Sequence, residues 1–406
     1  MSSSKKPEWV DVRARVKKFL EERIYPVEHI LHGADRTAAN LELARLIDEA
    51  KAEGLWALGH PQEIGGQGMP FMDYVYVNEV IGRSEHAQKV FGTYSHQDSI
   101  MLNMYASQEW REAFLKPLVA GEIYPSFGMT EPEIASSDPT QLQTTAELVD
   151  GHWIINGRKW FTTGADMAAY TTVMCRTEPD APKHQAFSMI IVPTNVRGYN
   201  IVRDTPILGM ADSHFEVEYD HVRVPESSLL GGRGEGFVIA QRRLGPGRIF
   251  HCMRWLGQAQ RAFDLMCARL HARTAFGSTL AEKQLMQQHV FDSAAEIRAC
   301  RLLTLDAARR IDAGADARIE IGQIKVVGAR MLHNVVDRAL QVYGAAGLTD
   351  DTPLSRMYRH AREARIYDGP DEVHIQSTAR RMLKLYRDGG EGIDFGERDA
   401  QFELSE

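Results

Sequence analysis

The sequence has 406 residues, of which 44% are hydrophobic and 25% are charged, and its formal net charge is −8. This length is too great for one compact core, so two or three packed units are expected, and the composition is ordinary for a soluble globular protein. The negative charge argues against a general nucleic-acid binder, because neutralising many phosphates requires a large basic surface.

The cysteines and the first residues bear on the compartment. The four cysteines lie far apart without a CxxC pairing, so we expect reduced thiols and neither disulfides nor a bound metal. The first eight residues lack the apolar segment of a secretory signal, and no apolar run approaches membrane-spanning length. The sequence therefore predicts a soluble, cytoplasmic protein without a membrane span. The cysteines are Cys175, Cys252, Cys267 and Cys300.

The first part of the chain has helical periodicity. An apolar stripe from Val12 to Ile24 ends before Pro26, which cannot continue a helix. The loop 60–68 is rich in glycine and other helix breakers. We predict an N-terminal helical domain over residues 1–123. Its main helices are expected at about 12–24, 41–52, 71–83 and 100–119.

The pattern changes to short strands from Tyr124. Residues 149–161 predict two strands joined at Asn156-Gly157, because Asn-Gly is favoured in two-residue hairpin turns. We predict a middle antiparallel, β-barrel-like domain over residues 124–234. Its other strands are expected at 170–175, 186–192, 215–219 and 221–224.

Long helical segments return over residues 235–406, where we predict a C-terminal four-helix bundle. The expected interruptions are at Gly277, Gly314, Gly344–Gly347 and Asp368–Pro370. Strands and helices are segregated along the chain and do not alternate, so the predicted fold class is α+β, without a Rossmann arrangement.

The last interruption places a carboxylate, Asp368, at a junction between a loop and a helix. Pro370 suits a first helical position, and Asp371 and Glu372 follow where the helix dipole favours negative charge. Asp368 is then either an ordinary turn residue before a glycine or a reactive group presented by a rigid element. The helix beyond it has an apolar face formed by Ile375, Ala379, Met382, Leu383 and Tyr386.

Two further segments contain candidate binding residues. Residues 127–138 offer small side chains, hydroxyls and backbone amides that suit the edge of a flat heteroaromatic ring and a pyrophosphate. The same segment also reads as an ordinary turn. Trp160 next to Thr162 is either a core aromatic or a wall beside a cofactor ring.

Together these motifs resemble the acyl-CoA dehydrogenase family, in its order and spacing, over roughly residues 10 to 390. The terminal Asp368–His374 resembles a branch that in animals can be fused to kinase-like or phosphatase-like domains. The matching motifs are Thr130-Glu131-Pro132 with Ser137-Asp138, Asn156–Thr162, Asp220–Pro225, Arg273–Gly277 with Gln284, and Gln341–Gly347.

The resemblance implies an FAD enzyme that converts an acyl-CoA thioester into a trans-2-enoyl-CoA. In the family a carboxylate takes the α proton while the β hydrogen leaves as hydride to flavin N5, so base and flavin face each other across the acyl chain. Asp368 falls at the position of that base, where most members have Glu. A second base location used by some members is Gly247 here, which cannot serve. The thioester carbonyl is polarised by the backbone N–H of the base position and a ribityl hydroxyl.

The resemblance also implies the binding residues. Five of the cofactor positions, from Arg273 onward, match those that complete the FAD site of a neighbouring subunit, so a homodimer or homotetramer is expected. Ala275, Ala345 and Pro370 depart from the residues usual in the family, and 133–135 is one residue longer. The cofactor-binding residues would be Phe127, Met129, Thr130, Ser136, Ser137, Trp160, Thr162, Arg273, Phe276, Gln284, Gln341 and Gly344. The substrate-binding residues would be Ser137, Arg248 and Gly369.

Three functions remain open at this point. The first is a dehydrogenase of fatty acid β-oxidation that passes electrons to an electron-transfer flavoprotein. The second is a flavin oxidase of the same fold, either an acyl-CoA oxidase or a nitroalkane oxidase-like enzyme, which would also tolerate an Asp base. The third is a helical scaffold that has lost catalysis, against which Asp368, Trp160 and Thr162 count.

Overall fold

The computed structural model describes residues 8–210, 214–387 and 390–403, and contacts divide the chain into two compact units. The helical unit comprises the described residues up to Leu55, Pro70–Val90, and those from Gly245 onward. The sheet unit comprises Trp56–Met69 and Phe91–Leu244. The three domain boundaries drawn from the sequence stay a prediction.

The helices of the first part overlap the predicted segments, although α1 begins at Glu8 and a π-helical turn over Leu20–Ile24 follows it. Two other differences have local causes. Helix α3 begins five residues early, because the Asp35 carboxylate caps it by accepting from the N–H groups of Thr37 and Ala38. The single helix expected over 100–119 is interrupted where Ala106 is extended and Ser107 caps a new turn. The helices are α1 (Glu8–Phe19), α2 (Glu28–Leu31), α3 (Arg36–Ala52), α4 (Phe71–Ile81), α5 (Ala87–Val90), α6 (His96–Tyr105), α7 (Gln108–Trp110) and α8 (Lys116–Ala120).

The sheet confirms a middle β region but with mixed pairing. Its strand order is β6-β7-β3-β2-β4-β5-β8, and β1 pairs in parallel with β4 beside the otherwise mainly antiparallel ladder. Trp153, Tyr170 and Tyr219 are almost fully buried in the core of the sheet unit. The strands are β1 (Tyr124–Gly128), β2 (Thr145–Val149), β3 (His152–Thr163), β4 (Ala168–Arg176), β5 (Phe187–Pro193), β6 (Tyr199–Asp204), β7 (His214–Pro225) and β8 (Leu229–Leu230).

The predicted hairpin turn at Asn156-Gly157 is wrong. The turn is at Asp150-Gly151, where φ is 48° and 71°, as a type I′ turn requires. Asn156 and Gly157 instead lie at an irregularity inside β3, where the Asn156 side chain accepts from the N–H of His221. The strands expected at 215–219 and 221–224 are therefore one strand, β7, which adapts to the irregularity in β3.

The C-terminal helices are interrupted at each of the predicted places. In the helical unit α11 packs against α10, α12 and α13. A short hairpin of β9 (Thr274–Ala275) and β10 (Ser278–Thr279) precedes α10. The helices are α9 (Gly236–Ala272), α10 (Gln284–Asp312), α11 (Arg318–Tyr343), α12 (Leu354–Glu363), α13 (Asp371–Lys384) and α14 (Phe395–Glu403).

Helix α13 approaches α11 closely at Gly322. A Cβ atom at this position would lie 2.0 Å from the Thr378 hydroxyl, so any larger residue would require the Thr378 side chain to move. The face of α13 that packs inward is polar and includes Asp371, His374 and Thr378. The predicted apolar face is instead largely exposed, with Leu383 at 69%. The buried polar residues Asp371, His374 and Thr378, and not the apolar ones, therefore determine which face of this helix packs inward.

All four cysteines are free thiols, and three of them, Cys175, Cys252 and Cys300, are buried. Burial raises the pKa of Cys175 and of Cys300 to about 12 and the pKa of Cys252 as well. Cys267 is partly exposed, and partial burial raises its pKa too. Among the residues that the structure describes, every helix is too short or too polar to cross a bilayer.

Candidate active site

The predicted base, Asp368, lies in the turn between α12 and α13. Its φ is 54° and that of Gly369 is 97°, so two successive residues have left-handed backbone. Aspartate is among the few residues other than glycine that adopt this conformation with modest strain. The turn therefore projects a carboxylate from a backbone conformation that the surrounding structure must hold in place.

Two buried side chains hold this turn through its backbone. His374 Nε2 donates to the carbonyl of Asp368 at 3.0 Å, and Lys325 Nζ donates to the carbonyls of Gly369 at 3.2 Å and Ala364 at 2.7 Å. Burial lowers the pKa of His374 to about 4, so the imidazole is neutral near pH 7. The turn is consequently fixed from α11 and α13 together.

The first turn of α13 is anchored by a third group, Asp371. Its side chain is only 2% exposed, and its Oδ2 accepts from Arg330 at 3.2 Å and from Arg365 at 2.9 Å. Its backbone N–H donates to the Arg365 carbonyl at 3.2 Å. A buried carboxylate at a helix N-terminus is stabilised by both the dipole and its cationic partners. The helix start that follows Asp368 is therefore rigid.

The carboxylate of Asp368 is itself engaged by a histidine. His251 Nε2 lies 3.1 Å from Asp368 Oδ2, and the two side chains are 24% and 25% exposed. Arg248, the predicted substrate residue, lies on the same helix as His251. Its Nε is buried without a hydrogen-bond partner among the described residues. Burial lowers the pKa of Arg248, and the nearby Asp368 opposes this effect.

In the sheet unit, the predicted flavin residues Thr130 and Trp160 are directly joined. The Thr130 hydroxyl donates to the Trp160 carbonyl at 2.7 Å, and the Trp160 N–H donates to the Thr130 carbonyl at 3.0 Å. Phe161, between Trp160 and Thr162, has a φ of 49°, and the pairing of β3 with β7 is irregular there. This strained residue breaks the regular alternation of the strand at the point where a ring-binding role is predicted.

A buried ion pair fixes the 129–131 segment. The Lys159 side chain is fully buried, and its Nζ donates to the Met129 carbonyl at 3.0 Å and to Glu131 Oε1 at 2.7 Å. Glu131 also accepts from the N–H groups of Gln143 at 2.6 Å and Thr144 at 2.9 Å. Burial alone would raise the pKa of Glu131, but Lys159 and these donors together have the larger, opposite effect. The pKa of Glu131 is therefore lowered.

The donors in the sheet unit fit a bound flavin. The Thr162 hydroxyl is buried without a hydrogen-bond partner among the described residues, which is costly unless a ligand supplies one. The half-buried Phe127 ring lies 4.5 Å from the Arg243 guanidinium. Ser136 Oγ accepts from the Glu131 N–H at 2.9 Å, whereas Ser137 is exposed. Among the predicted residues of this unit, Thr162 thus offers an unsatisfied donor.

The five residues predicted to complete a neighbour's FAD site are all exposed in the chain. Phe276 is 100% exposed at the tip of the β9–β10 turn, where its φ is 53°. Arg269, one helical turn before Arg273, stacks on Tyr343 with 4.9 Å between guanidinium and ring centre. Because Tyr343 lies between two of the predicted residues in sequence, these groups share one end of the bundle. The exposed residues are Arg273, Phe276, Gln284, Gln341 and Gly344.

One group in the described residues has side chains of the type that bind metal ions, namely His32, Glu85 and His86, with donor atoms within 4.8 Å of one another. Glu85 is already paired, because Arg356 and His360 each contact one of its oxygens. Although burial opposes it, hydrogen bonds to carboxylates raise the pKa of His360 to about 10, so His360 is cationic. With two cations on one carboxylate, we interpret this group as a partly buried ion-pair cluster.

Sequence reasoning missed three of the groups described above: His251, Lys325 and Lys159. His251 is three residues after Arg248, so both face the same side of α9, and this spacing was the available signal. Lys325 is a single cation within the apolar run from Ile321 to Val327, which is typical of a buried lysine. The only sequence signal for Lys159 was that a single lysine stands between strand residues, which does not indicate burial by itself.

Three family models match the chain. They are the acyl-CoA dehydrogenase N-terminal domain over residues 6–122, the middle domain over 126–222 and the C-terminal domain over 234–383. The fold and these matches together define an oxidoreductase of the acyl-CoA dehydrogenase class.

Individual relatives and a solved structure are also named as acyl-CoA dehydrogenases. The protein named probable acyl-CoA dehydrogenase FadE2 of Mycobacterium tuberculosis is 43% identical over 390 residues, covering 92% of this chain and 95% of that protein. Mouse acyl-CoA dehydrogenase family member 10 is 40% identical over 90% of this chain, which spans only 36% of that longer protein. A Mycobacterium abscessus structure assigned as an acyl-CoA dehydrogenase superposes with a TM-score of 0.90 at 35% identity, covering 94% of this chain and all of that one.

The chain belongs to the acyl-CoA dehydrogenase family. This confirms the predicted family, fold class and enzyme class, together with FAD as the cofactor of that class. The roles of individual site residues stay predictions.

Proposed function

We propose that the chain catalyses FAD-dependent α,β-dehydrogenation of an acyl-CoA thioester to a trans-2-enoyl-CoA, with Asp368 as the base. The observation that carries this proposal is the immobilised Asp368 carboxylate. Its backbone is held by His374 and Lys325, and its side chain contacts His251. Removing a proton from carbon requires a base in a fixed position, and this turn supplies one.

In the proposed reaction Asp368 takes the proton from Cα. The electron pair of that C–H bond becomes the second bond between Cα and Cβ, while the β hydrogen leaves with its own bonding pair. FAD, when bound, supplies the acceptor for this hydride. The protein then holds a protonated Asp368 and an enoyl thioester.

Substrate positioning is assigned to three residues. Arg248 has a buried Nε donor that a thioester or CoA oxygen can satisfy. Gly369 has no side chain, so an acyl group can approach the backbone beside the base. Ser137 is exposed and can reach a CoA arm from the sheet unit.

FAD binding is assigned to the sheet unit and to a second copy of the chain. Trp160 would shield one face of the ring and the Thr162 hydroxyl would hydrogen-bond to it. Phe127, Met129, Thr130 and Ser136 would line its edge, through the segment fixed by Lys159. The exposed residues Arg273, Phe276, Gln284, Gln341 and Gly344 would reach a neighbour's cofactor. The proposed assembly is therefore a homodimer or homotetramer with shared FAD sites.

The electrons must leave the cofactor after each turnover. An electron-transfer flavoprotein is the proposed acceptor, in a soluble, cytoplasmic enzyme of fatty acid β-oxidation that does not bind nucleic acid. The competing oxidase would pass the same electrons to oxygen and release peroxide, so the two functions differ in a measurable product.

The test is anaerobic titration of the purified yellow protein with a panel of acyl-CoAs, following flavin absorbance. We expect bleaching by at least one acyl-CoA, little peroxide in air, and loss of the reduction rate by several powers of ten in Asp368→Asn with FAD retained. Asp350→Asn, which changes an exposed aspartate before α12, is the matched control and should reduce normally.

Three other results would contradict the proposal. Stoichiometric peroxide without any response to acyl-CoA would identify the oxidase. Colourless protein that is unaffected by Asp368→Asn would identify an inactive scaffold. Full reduction by the Asp368→Asn protein would place the base elsewhere.

A further inference from the structure

The imidazole of His251 lies between the proposed base and an arginine. Arg254 Nη2 lies 3.0 Å from His251 Nδ1, and His251 Nε2 lies 3.1 Å from Asp368 Oδ2. The ring is also packed against Tyr367 and Trp255, with ring centres 5.3 and 6.0 Å away. Its orientation is therefore limited by two ring neighbours and by a contact at each nitrogen.

These contacts determine which nitrogen carries the hydrogen. A guanidinium can only donate, so His251 Nδ1 must accept from Arg254 and carries no hydrogen. The hydrogen of the neutral ring is then on Nε2, the nitrogen that lies 3.1 Å from Asp368 Oδ2 and is placed to donate to that carboxylate. An imidazolium would need hydrogens on both nitrogens and would face the guanidinium as a like charge.

The charges around the pair agree with a neutral ring. Burial and the neighbouring Arg254 lower the pKa of His251, and Asp368 opposes them less strongly. A neutral donor stabilises the ionised carboxylate without neutralising it, which a cation in the same place would do. Other charged or titratable groups near the pair or near Arg254 include Arg248, Lys325, Tyr367, His374, Cys252 and Tyr74.

We propose that His251 is a positioning residue for the dehydrogenation, which holds Asp368 through Oδ2 and thereby fixes the direction of its carboxylate toward the substrate. This inference rests on the proposed function, because it assigns His251 a role only if Asp368 is the base. Arg254 is the group that selects the donating tautomer.

The test compares two substitutions of similar size in the FAD-loaded protein. His251→Gln keeps an N–H near the position of Nε2, whereas His251→Leu fills the space without a donor. We expect His251→Leu to lower the limiting rate of flavin reduction by about ten- to a hundredfold, as for loss of a hydrogen bond to a charged group. The acyl-CoA dissociation constant should change less than about threefold, and His251→Gln should recover most of the rate.

The pH profile separates positioning from a merely structural role. Loss of the donor disfavours the ionised carboxylate, so the acid limb of the rate–pH profile should move to higher pH in His251→Leu and not in His251→Gln. The matched control is His29→Leu, the same change at an exposed histidine of α2, which should leave rate and profile unchanged. FAD content and the melting temperature are measured for every variant.

The outcomes are distinct. A His251→Leu protein with the wild-type limiting rate and pH profile would overturn the inference while leaving the base assignment intact. Equal losses in His251→Leu and His251→Gln without a pH shift would also overturn it. Full activity of Asp368→Asn, or no reduction of the wild type by any acyl-CoA, would refute the proposed function and this inference with it.

Discussion

The buried pair Lys159–Glu131 provides a test of how the proposed flavin segment is held. We predict that Lys159→Met destabilises the protein and releases FAD. The substitution removes the donor to the Met129 carbonyl and leaves Glu131 charged inside the sheet unit, where its own side chain is 4% exposed. Breaking a buried ion pair by removing one partner costs about 3–5 kcal/mol.

The contacts of each partner rank the two single variants. In Lys159→Met the carboxylate keeps its two backbone donors, Gln143 and Thr144, so a cost near about 3 kcal/mol is expected. In Glu131→Gln a fully buried ammonium loses its counter-charge, so the cost should be nearer about 5 kcal/mol. The double variant removes both charges, and its cost should be less than the sum by at least about 2 kcal/mol.

The assay is urea unfolding followed by circular dichroism, with the ratio of flavin to protein absorbance measured after purification. Wild-type and variant slopes must agree before midpoints are converted into free energies. The matched control is Arg158→Met, because Arg158 is the adjacent, exposed cation on β3. Strictly additive single-variant costs, or a Lys159→Met protein with the wild-type midpoint and FAD content, would refute the reasoning.

Three further predictions concern stability and assembly. Burial, with a smaller effect of a neighbouring histidine, lowers the pKa of His60 to about 3, so stability present above about pH 6.5 is lost as the pH falls toward 3. Between pH 7 and pH 5 the melting temperature of His60→Asn should accordingly fall less than that of the wild type. At pH 5 the loss of unfolding free energy should be smaller in the variant by about 2 kcal/mol. Melting temperatures that fall in parallel with pH would contradict this. Gly322→Ala should lower the free energy of unfolding in urea by about 1–3 kcal/mol, because the added Cβ meets the Thr378 hydroxyl. Adding Thr378→Ala should restore most of this loss. A double variant as unstable as Gly322→Ala would show that the clash lies elsewhere. Arg273→Leu and Phe276→Ala change exposed groups, so the melting temperature of the FAD-free chain should be unchanged. The FAD dissociation constant should rise at least about tenfold. An unchanged FAD affinity would show that these residues are not part of the shared site.

Most boundaries of the long helices could be predicted, because glycine and proline act locally. Gly314 and Asp368–Pro370 end or separate helices whatever packs around them. The hairpin turn could not be placed by its strongest local signal alone. Asp150-Gly151 and Asn156-Gly157 both suit a type I′ turn, and the pairing of β3 with β7 decides which of them is the turn.

Candidate site residues could be predicted where a motif carried them and not where packing did. Asp368 was predicted as the base because the family motif before Gly369 points to it, and that role stays a prediction. His251 has no motif, since its role depends on α9 lying beside the turn that holds Asp368. The polar inward face of α13 likewise includes ion pairs of Asp371 with Arg365, six residues earlier, and with Arg330 on α11, which no periodicity could reveal.

The thiols of the folded chain make it its own reporter of unfolding. Alkylating reagents react with thiolates, and burial suppresses that form at Cys175, Cys252 and Cys300. A folded molecule should therefore be alkylated slowly and mainly at Cys267, whereas an unfolded molecule should be alkylated at all four cysteines. Because Cys175 belongs to the sheet unit and the other three to the helical unit, mass spectrometry of the labelled peptides would show which of the two opens first.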